Sequence, residues 1–466
     1  MPKRGTLFLS IGALGFILSH AIELFFPFPG MLHVMSLFGL WTIAGCFLLM
    51  GLRSGLFPAA LIFTALLVIF FSSPHEGGSW VWQAFREMRG LIPLVFFIPL
   101  LGWIIQHEEY VPALLSYTRK FMKTPGSIYL VMMGVMMVSV FFFSLGAIYL
   151  LYALGTALLA KQSADWQRVS DMVVVQGFAM AAMWSLTEAS MVFAIEATEA
   201  PVLSTFGLAL LLSLFGVALG FLFFRQRVKR GELALDEEGL QSPFKGSSAE
   251  ARRLVVEFFC ILLAFYILIL AGLLIFHGSV MNVLPIAMLL ITVLYFSYKR
   301  QWGALWQNAK AYLTQGVERK SRELGFILAA GFMIVAMTQT GWGERLFTPV
   351  MAWSEAIPLF GLLFVLPLII VGLGYAGIPP TPSMLLLAAI LAQIPMDYSP
   401  TVLVLALLTG NALSFLVSPI TMPSLILSSL NGRTPFQNGV KINFAYALAF
   451  LLLAEGYIYV VRVLQG

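Results

Sequence analysis

Uncharged apolar runs of about eighteen residues or more recur along the whole chain, and each is long enough to cross the hydrocarbon core of a bilayer as a helix. In that medium every backbone N–H and C=O needs a partner within a helix or a closed barrel, and a barrel would read as short alternating segments. The expected fold is all-α, integral to the membrane, with the lipid bilayer as its solvent. Composition agrees, because 60% of the 466 residues are hydrophobic and only 11% charged, more apolar surface than a soluble domain could hide. Cys46 and Cys260 fall inside apolar runs and read as small buried hydrophobes, not as a disulfide framework. The net charge of +5 comes from basic loops and bears on orientation; no nucleic-acid partner is expected.

Single crossings are expected near 6–26, 32–50, 56–72, 88–106, 203–224, 254–276, 281–298, 325–341 and 441–462. The first follows Lys3 and Arg4 without a small-residue cleavage site and reads as a retained span. Four stretches differ. Residues 127–160 and 358–393 run to about half again the length one crossing needs, and each is punctured midway, at "FFFSLGAIYLL" and "GLGYAGIPPTPSM". Each reads as a re-entrant hairpin of two short arms. Residues 169–198 and 400–430 carry polar residues at mid-depth, with two prolines in the second, and read as broken spans. The total is about 11 transmembrane helices plus two hairpins.

Basic residues set the expected orientation. Arg225, Arg227, Lys229, Arg230, Lys245, Arg252 and Arg253 mark one cytoplasmic loop, and Lys299, Arg300, Lys310, Arg319, Lys320 and Arg322 a second. Counting outward from them places the N-terminus in the cytoplasm and the C-terminus outside, in the cell (inner, cytoplasmic) membrane. Arg119, Lys120, Lys123, Lys161 and Arg168 then flank the first hairpin from the cytoplasm, whereas the loop "QIPMDYSPT" after the second has Asp397 and no cation. The chain divides into a leading helix (1–31), a first repeat (32–224), a cytoplasmic linker (225–253) and a second repeat (254–466). Each repeat holds three spans, a hairpin, a broken span and a last span, and the two enter the membrane from opposite faces. Inverted repeats with paired interrupted segments point to a secondary transporter with its site at the breaks.

This plan, together with the amphipathic stretches "HEEYVPALLSYTRKFMKTPG" and "WGERLFTPVMAWSEAIP" ahead of the hairpins, resembles the ion transporter superfamily that includes the divalent anion:sodium symporters. The paired Ser-Asn-Thr signatures of those symporters are absent from both tips, so the resemblance carries architecture. It implies an elevator-type alternating-access mechanism in a homodimer, with the amphipathic stretches as arm helices.

Half-helix N-termini aimed at one cavity offer free N–H groups and a positive dipole end, suited to a carboxylate or another anion, while carbonyls and hydroxyls suit a coupling Na⁺. The candidate substrate-binding residues are Ser144 and Gly146 at the first tip and Ser185, Thr187 and Ser190 on the first break. In the second half they are Gly377, Thr381 and Ser383 at the tip and Asn411, Ser414, Ser418 and Thr421 on the break. Glu188, Asn411 and Ser418 are candidates for ion coupling, with Na⁺ near Ser144, Gly146, Gly374, Gly377 and Asn411. For each hydroxyl the competing reading is a bond to its own helix backbone or a packing role. A carboxylate at mid-membrane costs at least about 2.5 kcal/mol and normally marks a proton or cation path, so Glu188 is the most informative single residue. Asp171, Glu196 and Glu199 lie nearer the ends of their segment and are expected at the interface, and Glu455 is a second intramembrane carboxylate. Neither break carries Lys or Arg.

The expected function is secondary active transport of a small organic anion or polar solute, coupled to Na⁺ or H⁺, with no cofactor. An exporter or flippase of an amphipathic or lipid-linked substrate is one alternative, and an ion channel another. An enzyme is disfavoured because His20, His33, His75, His107 and His277 are scattered and neither H-E-x-x-H nor G-x-S-x-G occurs.

Overall fold

The computed structural model describes residues 4–28, 30–72, 79–231, 233, 240, 246–275, 279–355, 361–392 and 398–465. Much of the expected linker, the first residues of the 358–393 hairpin and the loop with Asp397 lie outside the described residues. The chain is a multi-pass membrane protein: among the described residues eleven helices are long and apolar enough to cross a bilayer.

In chain order, α1 is Arg4–Phe25 and α2 is Met31–Ser72, which spans both expected crossings and turns at Gly51, whose φ of 68° is open to glycine without strain. Then come α3 (Ser79–Glu87), α4 (Leu91–His107) and α5 (Tyr110–Thr118). The expected first hairpin is α6 (Pro125–Phe143) and α7 (Gly146–Leu158), and the expected first broken span is α8 (Ala164–Ala182) and α9 (Ala189–Ala197). Next are α10 (Val202–Lys229), α11 (Ser248–Ile275), α12 (Val280–Tyr298), α13 (Trp302–Ala311), α14 (Ser321–Gln339) and α15 (Trp342–Glu355). The second pair of interruptions gives α16 (Leu362–Tyr375) with α17 (Pro380–Leu391), and α18 (Pro400–Val417) with α19 (Met422–Asn431); α20 (Ile442–Gln465) closes the chain.

Local chemistry sets these boundaries. Thr124 and Ser127 form a reciprocal capping box with Pro125 in the first turn of α6, and Ser399 caps α18 ahead of Pro400. Gly432 ends α19 in the left-handed conformation, its N–H donating to the Ser428 carbonyl. The amphipathic stretches ahead of the hairpins form α5 and α15.

One element departs from expectation. The arms were to be short, and α7, α16 and α17 are, at 13, 14 and 12 residues, but α6 has 19 and could cross alone. The break falls late because "YLVMMGVMMVSVFFF" contains no proline and only one glycine to stop the helix before Ser144.

The packing positions the breaks. α6 lies along α8, α16 lies along α18, and α8 and α18 touch each other. Each second arm meets the far half of the opposite broken helix, α7 against α19 and α17 against α9. α18 is buried along its whole length from Thr401 to Val417, so its polar residues face protein rather than lipid.

Candidate functional site

The second break forms because Pro419 and Pro423 supply no N–H and the intervening residues satisfy themselves locally. The Ser418 N–H donates to the Ser414 carbonyl at 2.9 Å, the Ile420 N–H donates to Ser418 Oγ at 3.4 Å, and Thr421 Oγ donates to the Ser418 carbonyl at 3.0 Å. Tyr375, at the end of α16, donates its hydroxyl to the Val417 carbonyl at 2.9 Å, covering the last carbonyl of α18 from the neighbouring hairpin. Gly374 lies so close that a Cβ there would sit 2.5 Å from Ser414 Oγ.

Three residues from two helices converge just above this break. Asn411 Nδ2 donates to Ser190 Oγ at 3.2 Å, joining α18 to the first turn of α9. Asn411, Ser414 and Ser190 are at most 1% exposed. Asn411 Oδ1 and Ser414 Oγ, one turn apart on the same face of α18, have no hydrogen-bond partner. Buried polar atoms are nearly always paired, since leaving one unmade costs about 1–3 kcal/mol. These two acceptors, with the N-terminal turn of α9 beside them, make a place for a donor or a desolvated cation.

The first break differs. Ser185 and Thr187 share a hydroxyl hydrogen bond of 2.7 Å, and Thr187 donates to the Phe141 carbonyl at 2.8 Å, closing the last turn of α6. Their hydroxyls are spent on structure. Trp184 stacks on Phe141 with ring centroids 6.1 Å apart and planes at 15°, and its buried indole N–H has no partner. Half-buried Glu188 takes the N-cap position of α9 without a side-chain capping bond, within electrostatic reach of Lys320 and Glu323 at the head of α14.

The other expected residues are dispersed. Ser383 donates to the Pro379 carbonyl of its own helix, Thr381 is half-buried, and Gly377 is exposed at the second tip with φ 93°. Ser144 takes φ 47° and ψ −124° at the first tip, and Gly146 is exposed beside it. No described contact joins Ser144 or Gly146 to Asn411. The five positions expected around Na⁺ are thus not gathered: Gly374 reaches the Asn411 side only through Ser414, and Gly377 and the first tip stand apart. Among the described residues no group of three or more His, Cys, Asp or Glu could hold a metal ion.

A polar chain that sequence reading missed runs beside the site. Asp171, expected at the interface, has a wholly buried side chain, with Arg433 Nη1 at 3.0 Å and Asn431 Nδ2 at 3.1 Å from its Oδ2. From Asn431 the bonds continue through Asn438, Asn443 and Gln176 to Tyr129, linking α19, α20, α8 and α6. The signal was present in "SLNGRTPFQNG", an Asn- and Arg-bearing stretch after a broken helix. Glu196 is partly buried and Glu199 exposed, as their position near the segment end implies.

No protein-family model and no curated protein matches the chain by sequence. Solved structures match its fold. The YdaH transporter of Alcanivorax borkumensis, described as having an unusual topology, is similar over 87% of this chain and 97% of its own, at 15% identity and a TM-score of 0.59. MtrF of Neisseria gonorrhoeae, described with a class of antimetabolite efflux pumps, is similar over 87% and 93%, at 11% identity and a TM-score of 0.52. At these identities the likeness is one of fold, and the fold is one that transporters use.

Proposed function

We propose that the chain is a secondary active transporter for a small organic anion or polar solute, coupled to Na⁺ or H⁺. One observation carries the reading: Asn411 Oδ1 and Ser414 Oγ are buried without partners at a helix break, beside the first turn of α9. A protein that only had to span lipid would have no use for that cost. The fold shared with two transporters supports the reading, as does the crossed packing of α7 on α19 and α17 on α9. That reciprocity is what two inverted repeats, 32–224 and 254–466, would produce, and it suits an elevator-type movement of hairpins and broken helices as a homodimer.

In this mechanism the solute lies between the N-terminal turn of α9 and the Asn411 and Ser414 face of α18. Dipole and free N–H groups hold its anionic or polar end. Glu188, the N-cap of α9 at the first break, is the residue to which this reading gives the proton or the accompanying cation. MtrF brings efflux of antimetabolites into the range of directions and substrates to be tried.

Purified protein in liposomes, loaded with candidate solutes under an imposed Na⁺ or H⁺ gradient, tests this. Saturable uphill flux that Asn411→Ala abolishes is expected. Flux that never exceeds equilibrium would mean a channel, and unchanged flux in Asn411→Ala would remove the site.

A further inference from the structure

A second polar concavity lies at the end of the bundle where α4 and α12 begin. Its volume is about 490 Å³, and it is lined by Arg86, Arg89 and Asn282 together with two carboxylates, Glu87 and Glu196. That size falls within the range of small-molecule sites. It is separate from the central site: α9 carries Ser190 at one end and Glu196 at the other, about 9 Å apart along the helix at 1.5 Å per residue.

The groups around it favour one kind of guest. Glu196 already places a carboxylate at the N-terminus of α12, with Oε1 accepting from Ser279 Oγ at 2.7 Å and Oε2 from the Val280 N–H at 3.1 Å. The starts of α4 and α12 both lie at this corner, and helix N-termini stabilise negative charge. Arg86 is exposed and forms no ion pair among the described residues. Arg89 is held only loosely, 3.6 Å from Glu23, whose Oε2 is buried without a partner. His20 Nε2 lies 3.1 Å from Asn282 Oδ1; with that oxygen accepting, the amide N–H₂ of Asn282 is left to donate into the concavity. Two guanidiniums, an amide donor and the start of α4 therefore line the concavity, with Glu196 already bonded at the start of α12; Glu87, exposed, is the remaining carboxylate, so Arg86 and Arg89 must carry the attraction for an anion.

We propose that this concavity is a second binding site, for a small organic carboxylate held by the Arg86 guanidinium with Arg89 and the Asn282 amide beside it. Arginine suits the role because its planar fork matches a carboxylate with two parallel hydrogen bonds. On the orientation that the basic loops favour, the site opens on the outer face. It rests on the transporter reading for its use, as a place where solute waits or is sensed, but not for its existence. Because Glu196 ties the end of α9 to α12 here, a bound anion would also compete for the same helix terminus and bias the position of α9.

The experiment is isothermal titration of the full chain in detergent with succinate at matched ionic strength, paired with thermal unfolding. Saturable binding is expected, weakened at least ten-fold in Arg86→Gln, weakened to a lesser degree in Arg86→Lys and still saturable in Asn411→Ala. Should Arg86→Gln fail to fold, Arg86→Lys decides: affinity equal to that of the unaltered protein overturns the proposal. Absence of saturable succinate binding also overturns it. Loss of binding in Asn411→Ala would place the carboxylate at the central site and overturn it as well. Transport abolished in Asn411→Ala with succinate binding intact supports both readings; succinate binding intact beside failed uphill flux leaves this site standing while the transporter reading falls.

Discussion

Arg433 Nη1 sits 3.0 Å from Oδ2 of Asp171, and this pair joins the turn after α19 to a carboxylate with no exposed side-chain surface. Removing one partner of a buried pair strands the other. Arg433→Met should destabilise the protein by about 2 kcal/mol, below the full buried-pair figure because Arg433 keeps partial exposure. Asp171→Asn, which still accepts from Asn431, should cost about 1 kcal/mol. Thermal unfolding of both single variants and of the double variant checks this: the double variant should be more stable than Arg433→Met.

Gly374 and Gly410 both bring α16 against α18, and substitution is expected to affect transport at the first and stability at the second. A Cβ at Gly374 meets Ser414 Oγ at 2.5 Å, whereas one at Gly410 meets the Pro367 Cα at 2.8 Å. Ser414 can rotate and Pro367 backbone cannot. Gly410→Ala should therefore lower stability by about 1–3 kcal/mol. Gly374→Ala should leave the melting temperature nearly unchanged while displacing the Ser414 hydroxyl and reducing transport at least ten-fold. Equal effects on melting would contradict the distinction.

Ser144 holds φ 47° with ψ −124°, a conformation that glycine adopts freely and an L residue does not. Ser144→Gly should raise stability by about 1 kcal/mol, and Ser144→Ala should not. If both variants melt alike, the tip stores no backbone strain.

Lys299, at the end of α12, lies 2.6 Å from Glu257 and 3.1 Å from Glu108, and Tyr110 donates to Glu257 at 2.8 Å. Burial alone would lower the Lys299 pKa, but the hydrogen bonds that its ammonium donates to Glu257 and Glu108 outweigh it and raise the pKa above its ordinary 10.5. A cation with a raised folded-state pKa stabilises fully below the unfolded value and loses that contribution as pH climbs through the folded one. The contribution should therefore persist to about pH 10 and fade above it. In melts from pH 8 to 11, Lys299→Met should flatten the alkaline decline relative to the unaltered chain.

Much of this was legible in the letters. Clustered prolines and glycines disfavour helix continuation, so Pro419, Pro423 and the run from Gly374 to Pro382 announce the second hairpin and break wherever they fall in three dimensions. The first tip was legible from Ser144 and Gly146, but not the length of α6, because apolar residues without a stop signal do not declare where a helix ends. At the site, Asn411, Ser190 and Ser414 were all named, yet so were Thr187, Thr421 and Ser383, whose hydroxyls the structure spends on nearby carbonyls, and Ser185, whose hydroxyl bonds that of Thr187. A hydroxyl's partner depends on geometry that spacing does not encode. Asp171 was misplaced for a related reason: its nearness to the segment end was plain, but Arg433, far along the chain, is what holds it inside.

The close seating of α16 on α18 limits how the second tip can move. With Gly410 nearly touching Pro367 and Tyr375 bonded to Val417, the second tip cannot swing open as an independent flap without unzipping that seam. On the proposed transport reading, release to either side would require the seam to travel as one block, and the barrier to turnover should follow the surface over which that block slides.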